Sequence, residues 1–264
     1  MNGEDTYLKR QTDNNPLFSD VLWSRPEQKT MAGKIAIIGG SAHGFSNISR
    51  SYNAAGKAGA GAVRLLLPNA LKRTLAKIWP ECEFASSSKT GEFADDALAE
   101  WLELDQWSDA VLLPGDLGKS SQTAILMERY LVHSTNHITL TGDSISILIG
   151  SPLPIMENNR ILLVLTIPQL QRLLVAIRYP MTVRQDGTMF QLAASLHALT
   201  LNYPWAIVTW HENFFYAAYL GNVSTTQAID GSLTDAAAFA SVWRMQQPTK
   251  VFEAITCGIY ELTQ

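Results

Sequence analysis

"GKIAIIGGS" (residues 33–41) decides the fold. Its apolar run shows no polar alternation, so it reads as a strand buried on both faces. Two consecutive glycines follow, and they read as a tight strand-ending loop. The next stretch, "NISRSYNAAGKAGAGA" (47–62), is helical until Gly59 and Gly61 end it. "AVRLLLP" (62–68) is then a second apolar strand, closed by proline. Strand, helix and strand of this kind form a parallel pair with a covering helix.

The pattern continues along the chain. "NALKRTLAKIW" (69–79) reads as a helix with Asn69 as its cap, and "FADDALAEWLE" (93–103) as another helix. "DAVLLPG" (109–115) is a strand, "KSSQTAILMERYLVH" (119–133) an amphipathic helix, and "HITLTGDSI" (137–145) a strand. "RILLVL" (160–165) is a strand followed by a helix over 167–178 with Pro168 in its first turn. "MFQLAASLHALTL" (189–201) is a helix, and 206–210 with 214–220 form a β-pair around "HEN". Helices over 235–246 and 250–263 close the chain. This alternation predicts an α/β protein of three layers, α/β/α, with a mostly parallel central sheet and helices on both faces. Residues 1–29 are polar and carry Pro16 and Pro26, so they read as a loose N-terminal arm, with residues 30–264 as a single domain.

Composition narrows the function. The 264 residues are 47% hydrophobic and 17% charged, with net charge −4. No cluster of Lys and Arg is dense enough to hold nucleic acid, and "ALKRTLAK" (70–77) reads as a solvated helix face. No apolar stretch reaches the roughly 20 residues that span a bilayer. The N-terminus has no apolar signal core, so the expected setting is soluble and cytoplasmic. Cys82 and Cys257 match no metal spacing and read as buried free thiols. None of the histidines pairs at a metal-binding spacing; His43 lies in a glycine-rich loop, His133 and His137 read as surface residues, and His197 as helix packing. No metal ligands are assigned. The tryptophans, Trp101, Trp107 and Trp243 among them, read as core and interface residues.

Ligands of open α/β sheets bind beyond the carboxyl ends of the strands. Four loops fall there: "GGSAHGFSN" (39–47), "PGDLGKS" (114–120), "TGDSI" (141–145) and "DGSLTD" (230–235). Each alone is explained by an ordinary turn or, for "SLTDAAAF", by a helix N-cap at Thr234 or Asp235. Together they would meet at one rim. Signatures of a hydrolase elbow, a P-loop and a dinucleotide-binding loop are absent from the sequence.

The order of these motifs resembles the NAD(P)H-hydrate dehydratase family of the ribokinase-like superfamily. The resemblance runs from Trp23 to the C-terminus. It rests on Trp23, Arg25 and Pro26, then "GKIAIIGGS", "AGAGAVRLLLP", "DAVLLPGDLG" with Asp116 as an extra residue, "TGDSI" keeping Asp143, and "GSLTD" placing Asp235 at the family's acid. It implies a ribokinase-like fold and repair of hydrated NADH or NADPH. In that reaction the hydrate hydroxyl is phosphorylated with ADP or ATP and magnesium, and phosphate is then eliminated. It implies Asp235 as the catalytic base, and Gly231, Ser232, Leu233 and Thr234 as the backbone anion hole for the nucleotide phosphates. Gly39, Gly40, Ser41, Asn47, Gly118 and Asp143 would bind the hydrate. It also implies a homo-oligomer.

The sequence departs from that family in three places. "TIPQLQ" (166–171) has neither the family's histidine nor its glutamate, and "TWHEN" (209–213) lacks its Lys-Gly pair. Thr234 replaces a glycine and Leu233 a threonine in the anion hole. A Cβ is costly where φ must be positive, by about 1 kcal/mol or more, so the turn is expected to change shape. Three readings follow: a working dehydratase, a non-catalytic relative that keeps ligand binding or supports a partner, and a small-molecule kinase of the same superfamily.

Overall fold

The computed structural model describes residues 7–12, 15–79 and 82–264. The chain begins with strand β1 (Leu8–Gln11) and helix α1 (Ser19–Trp23). The GKIAIIGGS stretch is β2 (Lys34–Ile38), followed by α2 (Ser46–Lys57), β3 (Ala62–Pro68), α3 (Lys72–Leu75) and β4 (Cys82–Ala85). Next come α4 (Leu98–Trp107), β5 (Ala110–Leu113), α5 (Ser121–His133), β6 (His137–Leu140) and α6 (Asp143–Gly150). After these lie β7 (Ile161–Val164), α7 (Ile167–Ala176), α8 (Met189–Asn202), β8 (Ala206–His211), β9 (Phe214–Tyr219) and β10 (Asn222–Gln227). Helices α9 (Leu233–Gln246) and α10 (Val251–Leu262) end the chain.

The ten strands of the described residues form one sheet in the order β1-β10-β9-β8-β7-β6-β5-β2-β3-β4. Among these strands only β9 runs against its neighbours. Helices cover both faces. Within β2, Ala36 and Ile38 join the core under α4 to α8, while Ile35 and Ile37 join the core under α2, α3, α9 and α10. This is the period of two of a strand buried on both sides.

Several expectations need correction. The N-terminal arm is not loose where it is described. β1 pairs in parallel with β10, and buried Gln11 donates from Nε2 to Thr226 Oγ1 at 2.6 Å and to the Thr256 carbonyl at 3.0 Å. The strand expected over 137–145 stops at Leu140; Gly142 turns at φ +65° and α6 begins at Asp143. The segment 69–79 holds a 3-10 turn and the one-turn α3, and Asn69 makes no cap bond. Trp101 and Trp243 are buried, as read. Cys257 is buried and burial pushes its thiol up to about 12, whereas Cys82 is only half-buried. His137 is half-buried rather than at the surface.

Candidate functional site

The sheet order places the site. From β2 the chain runs outward through β3 to β4, then returns across β2 to β5. A crevice opens beyond the carboxyl ends of the strands at such a reversal. Here the ends belong to β2 and β5, and their loops are 39–47 and 114–120. The two loops interlock. Gly40 N donates to the Gly115 carbonyl at 3.3 Å. A Cβ on Gly39 would lie 2.6 Å from that same carbonyl oxygen, so only glycine lets the loops approach this closely. Ser41 is buried and its Oγ accepts from His43 N at 3.3 Å.

Asn47, in the first turn of α2, is the hub. Its amide N donates to Asp116 Oδ2 at 2.7 Å and its Nδ2 to Asp116 Oδ1 at 2.8 Å. Its Oδ1 accepts from Thr234 Oγ1 at 3.3 Å. Asp116 sits at φ +58°, the left-handed conformation that aspartate tolerates better than most residues. Asp143 receives the amides of Leu117 and Gly118, each at 3.3 Å. Burial raises its pKa above the ordinary aspartate value, those amides oppose the rise, and nearby Asp116 adds to it. Buried Glu92 accepts from Lys119 N at 3.1 Å and Ser120 N at 2.7 Å. Gly118, at φ +85°, packs so tightly on Glu92 that a Cβ would come within 2.2 Å of its carboxylate.

The start of α9 is built differently from an open anion cup. Ser232 is the N-cap, not Thr234 or Asp235, and its Oγ accepts from Asp235 N at 3.3 Å. None of Gly231, Ser232, Leu233 and Thr234 has positive φ. Thr234 is helical, which removes the strain a Cβ would otherwise meet. Leu233 turns toward the apolar core beneath α9, and Trp210 presses on Gly231 so closely that a Cβ there would fall 2.2 Å from the indole. Asp235 is gripped by Arg50 of α2, with Nε to Oδ1 at 2.8 Å and Nη2 to Oδ2 at 2.9 Å. The ion pair raises the pKa of Arg50.

The two departing segments have taken other roles. Thr166 and Gln169 form a capping box at the start of α7, and Gln169 Nε2 donates to the Gly142 carbonyl at 2.8 Å. "TWHEN" forms the β8–β9 hairpin, with Glu212 at φ +52° and Trp210 lying over Gly231. Thus all four loops predicted to share a rim are bonded into one chain of contacts. Four contributors were not predicted: Arg50, Glu92 and Trp210, and the pairing of Asp116 with Asn47. Only Asp116 left a signal, as the extra residue in its turn.

A nucleotide with magnesium would meet an acid that is already paired in this arrangement. Its phosphates need free amides at the α9 N-terminus and an unoccupied acid. Here Ser232 takes the Asp235 amide, Arg50 takes both carboxylate oxygens, and Trp210 packs on Gly231.

No protein-family model matches the sequence, and no curated protein does. Solved structures are similar over nearly the whole chain. A ribokinase-like superfamily protein from Enterococcus faecalis has TM-score 0.73 at 16% identity, covering 98% of this chain and 87% of its own. The fold is ribokinase-like. An ADP/ATP-dependent NAD(P)H-hydrate dehydratase from Bacillus subtilis, co-crystallised with ATP and Mg2+, has TM-score 0.63 at 11% identity, covering 93% and 86%. A pyridoxal kinase from Staphylococcus aureus in complex with pyridoxal has TM-score 0.53 at 12% identity, covering 84% and 83%. No helix among the described residues is long and apolar enough to cross a membrane.

Proposed function

We propose that this chain is a non-catalytic, ligand-binding relative of the hydrate dehydratases. It would hold a small hydroxylated metabolite at the rim of Gly39, Gly40, Ser41, Asn47, Gly118 and Asp143. One observation carries the reading: both oxygens of Asp235 are bound by Arg50. A general base must reach its proton and hold an unshared oxygen for it. A carboxylate in a bidentate guanidinium pair must first give up one of those contacts to do so. Ser232 supports the same reading by taking the Asp235 amide, and Trp210 by packing on Gly231.

The test is turnover of hydrated NADH or NADPH with magnesium and either ADP or ATP. The expected result is no recovery of reduced-nicotinamide absorbance, together with saturable binding of the hydrate. Recovery that Asp235→Asn abolishes would overturn the proposal and establish the dehydratase.

The position of Asp235 in the first turn of α9 favours a second reading, an enzyme held shut by Arg50. It covers both the dehydratase and a small-molecule kinase. Under it, Arg50→Gln gains turnover of the hydrate or phosphorylates an alcohol. Under the non-catalytic reading the variant stays inert.

A further inference from the structure

Outside the rim, a cavity of about 500 Å³ lies between α2 and α9, and Arg50 and Asp235 form one end of it. From α2 come Arg50, Asn53, Ala54 and Lys57. Their spacing of three, four and seven residues puts them on one helix face. From α9 comes Phe239, one turn below Asp235, and Leu262 of α10 completes the lining. Ala54 and Phe239 are buried, so the floor is apolar and partly aromatic. Lys57 and Asn53 are exposed at its edge.

The charges do not balance. The lining holds two cations, Arg50 and Lys57, against the single carboxylate of Asp235, which leaves one positive charge. Asp230 acts on Arg50 from further off. Lys57 forms no ion pair among the described residues. Arg50 commits Nε and Nη2 to Asp235, and its Nη1 makes no hydrogen bond among the described residues. Three donors therefore border one apolar floor along the same helix face: the Lys57 ammonium, the Asn53 amide and Arg50 Nη1.

We infer that this cavity binds a small phosphomonoester carried on a flat apolar body. The phosphate meets Lys57, Asn53 and Arg50, and the ring lies on Ala54, Phe239 and Leu262. A phosphate offers several acceptor oxygens to such a set of donors. The bound anion competes with Asp235 for the guanidinium of Arg50. Coupling of this kind is reciprocal: the ligand loosens the ion pair, and loss of the Asp235 charge strengthens the ligand. The inference shares the Arg50–Asp235 pair with the proposed function, but Lys57, Asn53 and the apolar floor take no part in the rim contacts. Hydrate binding at the rim tests that reading, and phenyl phosphate binding with its Lys57→Gln arm tests this one, so the two failures are distinguishable.

The experiment is calorimetric titration of the whole protein with phenyl phosphate, without magnesium and at low salt, beside inorganic phosphate and benzyl alcohol. Phenyl phosphate is expected to bind more tightly than either. Lys57→Gln weakens it at least about five-fold, since one charge-assisted contact is lost. Arg50→Gln also weakens it, and Asp235→Asn tightens it about three-fold by releasing Arg50. Lys57 is exposed, so its variant keeps the fold. The inference is overturned by no binding at about 10 mM, an affinity beyond millimolar. Binding unchanged by Lys57→Gln, or not strengthened by Asp235→Asn, overturns it too. Equal affinity for inorganic and phenyl phosphate overturns the assigned ligand class.

Discussion

Arg50 and Asp235 lie 185 residues apart in the chain and meet only because α2 packs beside α9. That separation is why the acid was legible in the sequence and its partner was not. Asp235 stands in a recognisable motif, whereas Arg50 is one polar residue among several on an amphipathic helix. The Arg50 side chain is half exposed, so solvent screens the pair. Arg50→Gln is therefore expected to change stability by less than about 1 kcal/mol in urea unfolding, whatever it does to function. A loss of several kcal/mol would show that the pair is a structural strut. Gly118 is the opposite case. At φ +85° and against Glu92 it has no space for a Cβ, so Gly118→Ala is expected to cost about 2 kcal/mol or more. The same unfolding curve checks it, and a neutral result would mean that the Glu92 anchor is dispensable. His137 gives a pH signature. Burial, with Arg244 and Arg160 nearby, lowers its pKa from 6.5 to about 4. The unfolded chain then binds a proton that the folded chain refuses, so this residue's contribution to stability falls as pH drops from 6.5 toward 4. His137→Gln should flatten that part of the stability–pH curve, and an unchanged slope would remove His137 as its source.

Elements follow the same division between local and distant causes. β2, β3, β5 and β7 announce themselves as apolar runs, since each is buried on both faces by helices. β10, "NVSTTQ", does not, although Val223, Ser224, Thr225 and Thr226 are all buried. Its polar side chains are satisfied across elements: Ser224 Oγ is 2.7 Å from Thr256 Oγ1, and Thr226 Oγ1 receives Gln11. Partners so distant in the chain leave no periodicity to read. β4 was missed because it is a short edge strand of four residues, only one of them fully buried. α6 was missed because the strand before it and the helix itself form one apolar stretch broken only by "TGD". The α9 cap lies at Ser232, two or three residues before the expected Thr234 or Asp235, because three neighbouring side chains are all good cap formers. Ser232→Ala is expected to cost about 1 kcal/mol by freeing the Asp235 amide. Circular dichroism melting of the variant against the wild type measures it. A cost near zero would mean that water replaces the cap, and that the anion hole is more open than the bond to Ser232 implies.

At the scale of the whole molecule, the sheet gathers the site at the β2–β5 reversal and leaves a separate problem at its far edge. β10 would present an unpaired row of backbone groups there, a template for pairing with other chains. β1 covers it, pairing Leu8 to Gln11 with Val223 to Thr226. Gln11 then fastens the strand inward, to Thr226 on β10 and to the Thr256 carbonyl on α10. Residues 8–11 of the polar N-terminal segment are thus part of the fold, through one buried glutamine that its composition conceals. Two variants separate the contributions. Gln11→Ala keeps the backbone ladder but leaves buried acceptors at Thr226 and Thr256, and should cost about 1–3 kcal/mol. Removing residues 1–12 takes away the ladder as well and exposes the β10 edge. The truncated chain should unfold at lower urea than Gln11→Ala and elute as larger species in size-exclusion chromatography at raised concentration. If it stays as stable and as small as the full chain, β1 is an appendage, and the edge must be protected by α8 and α10 alone.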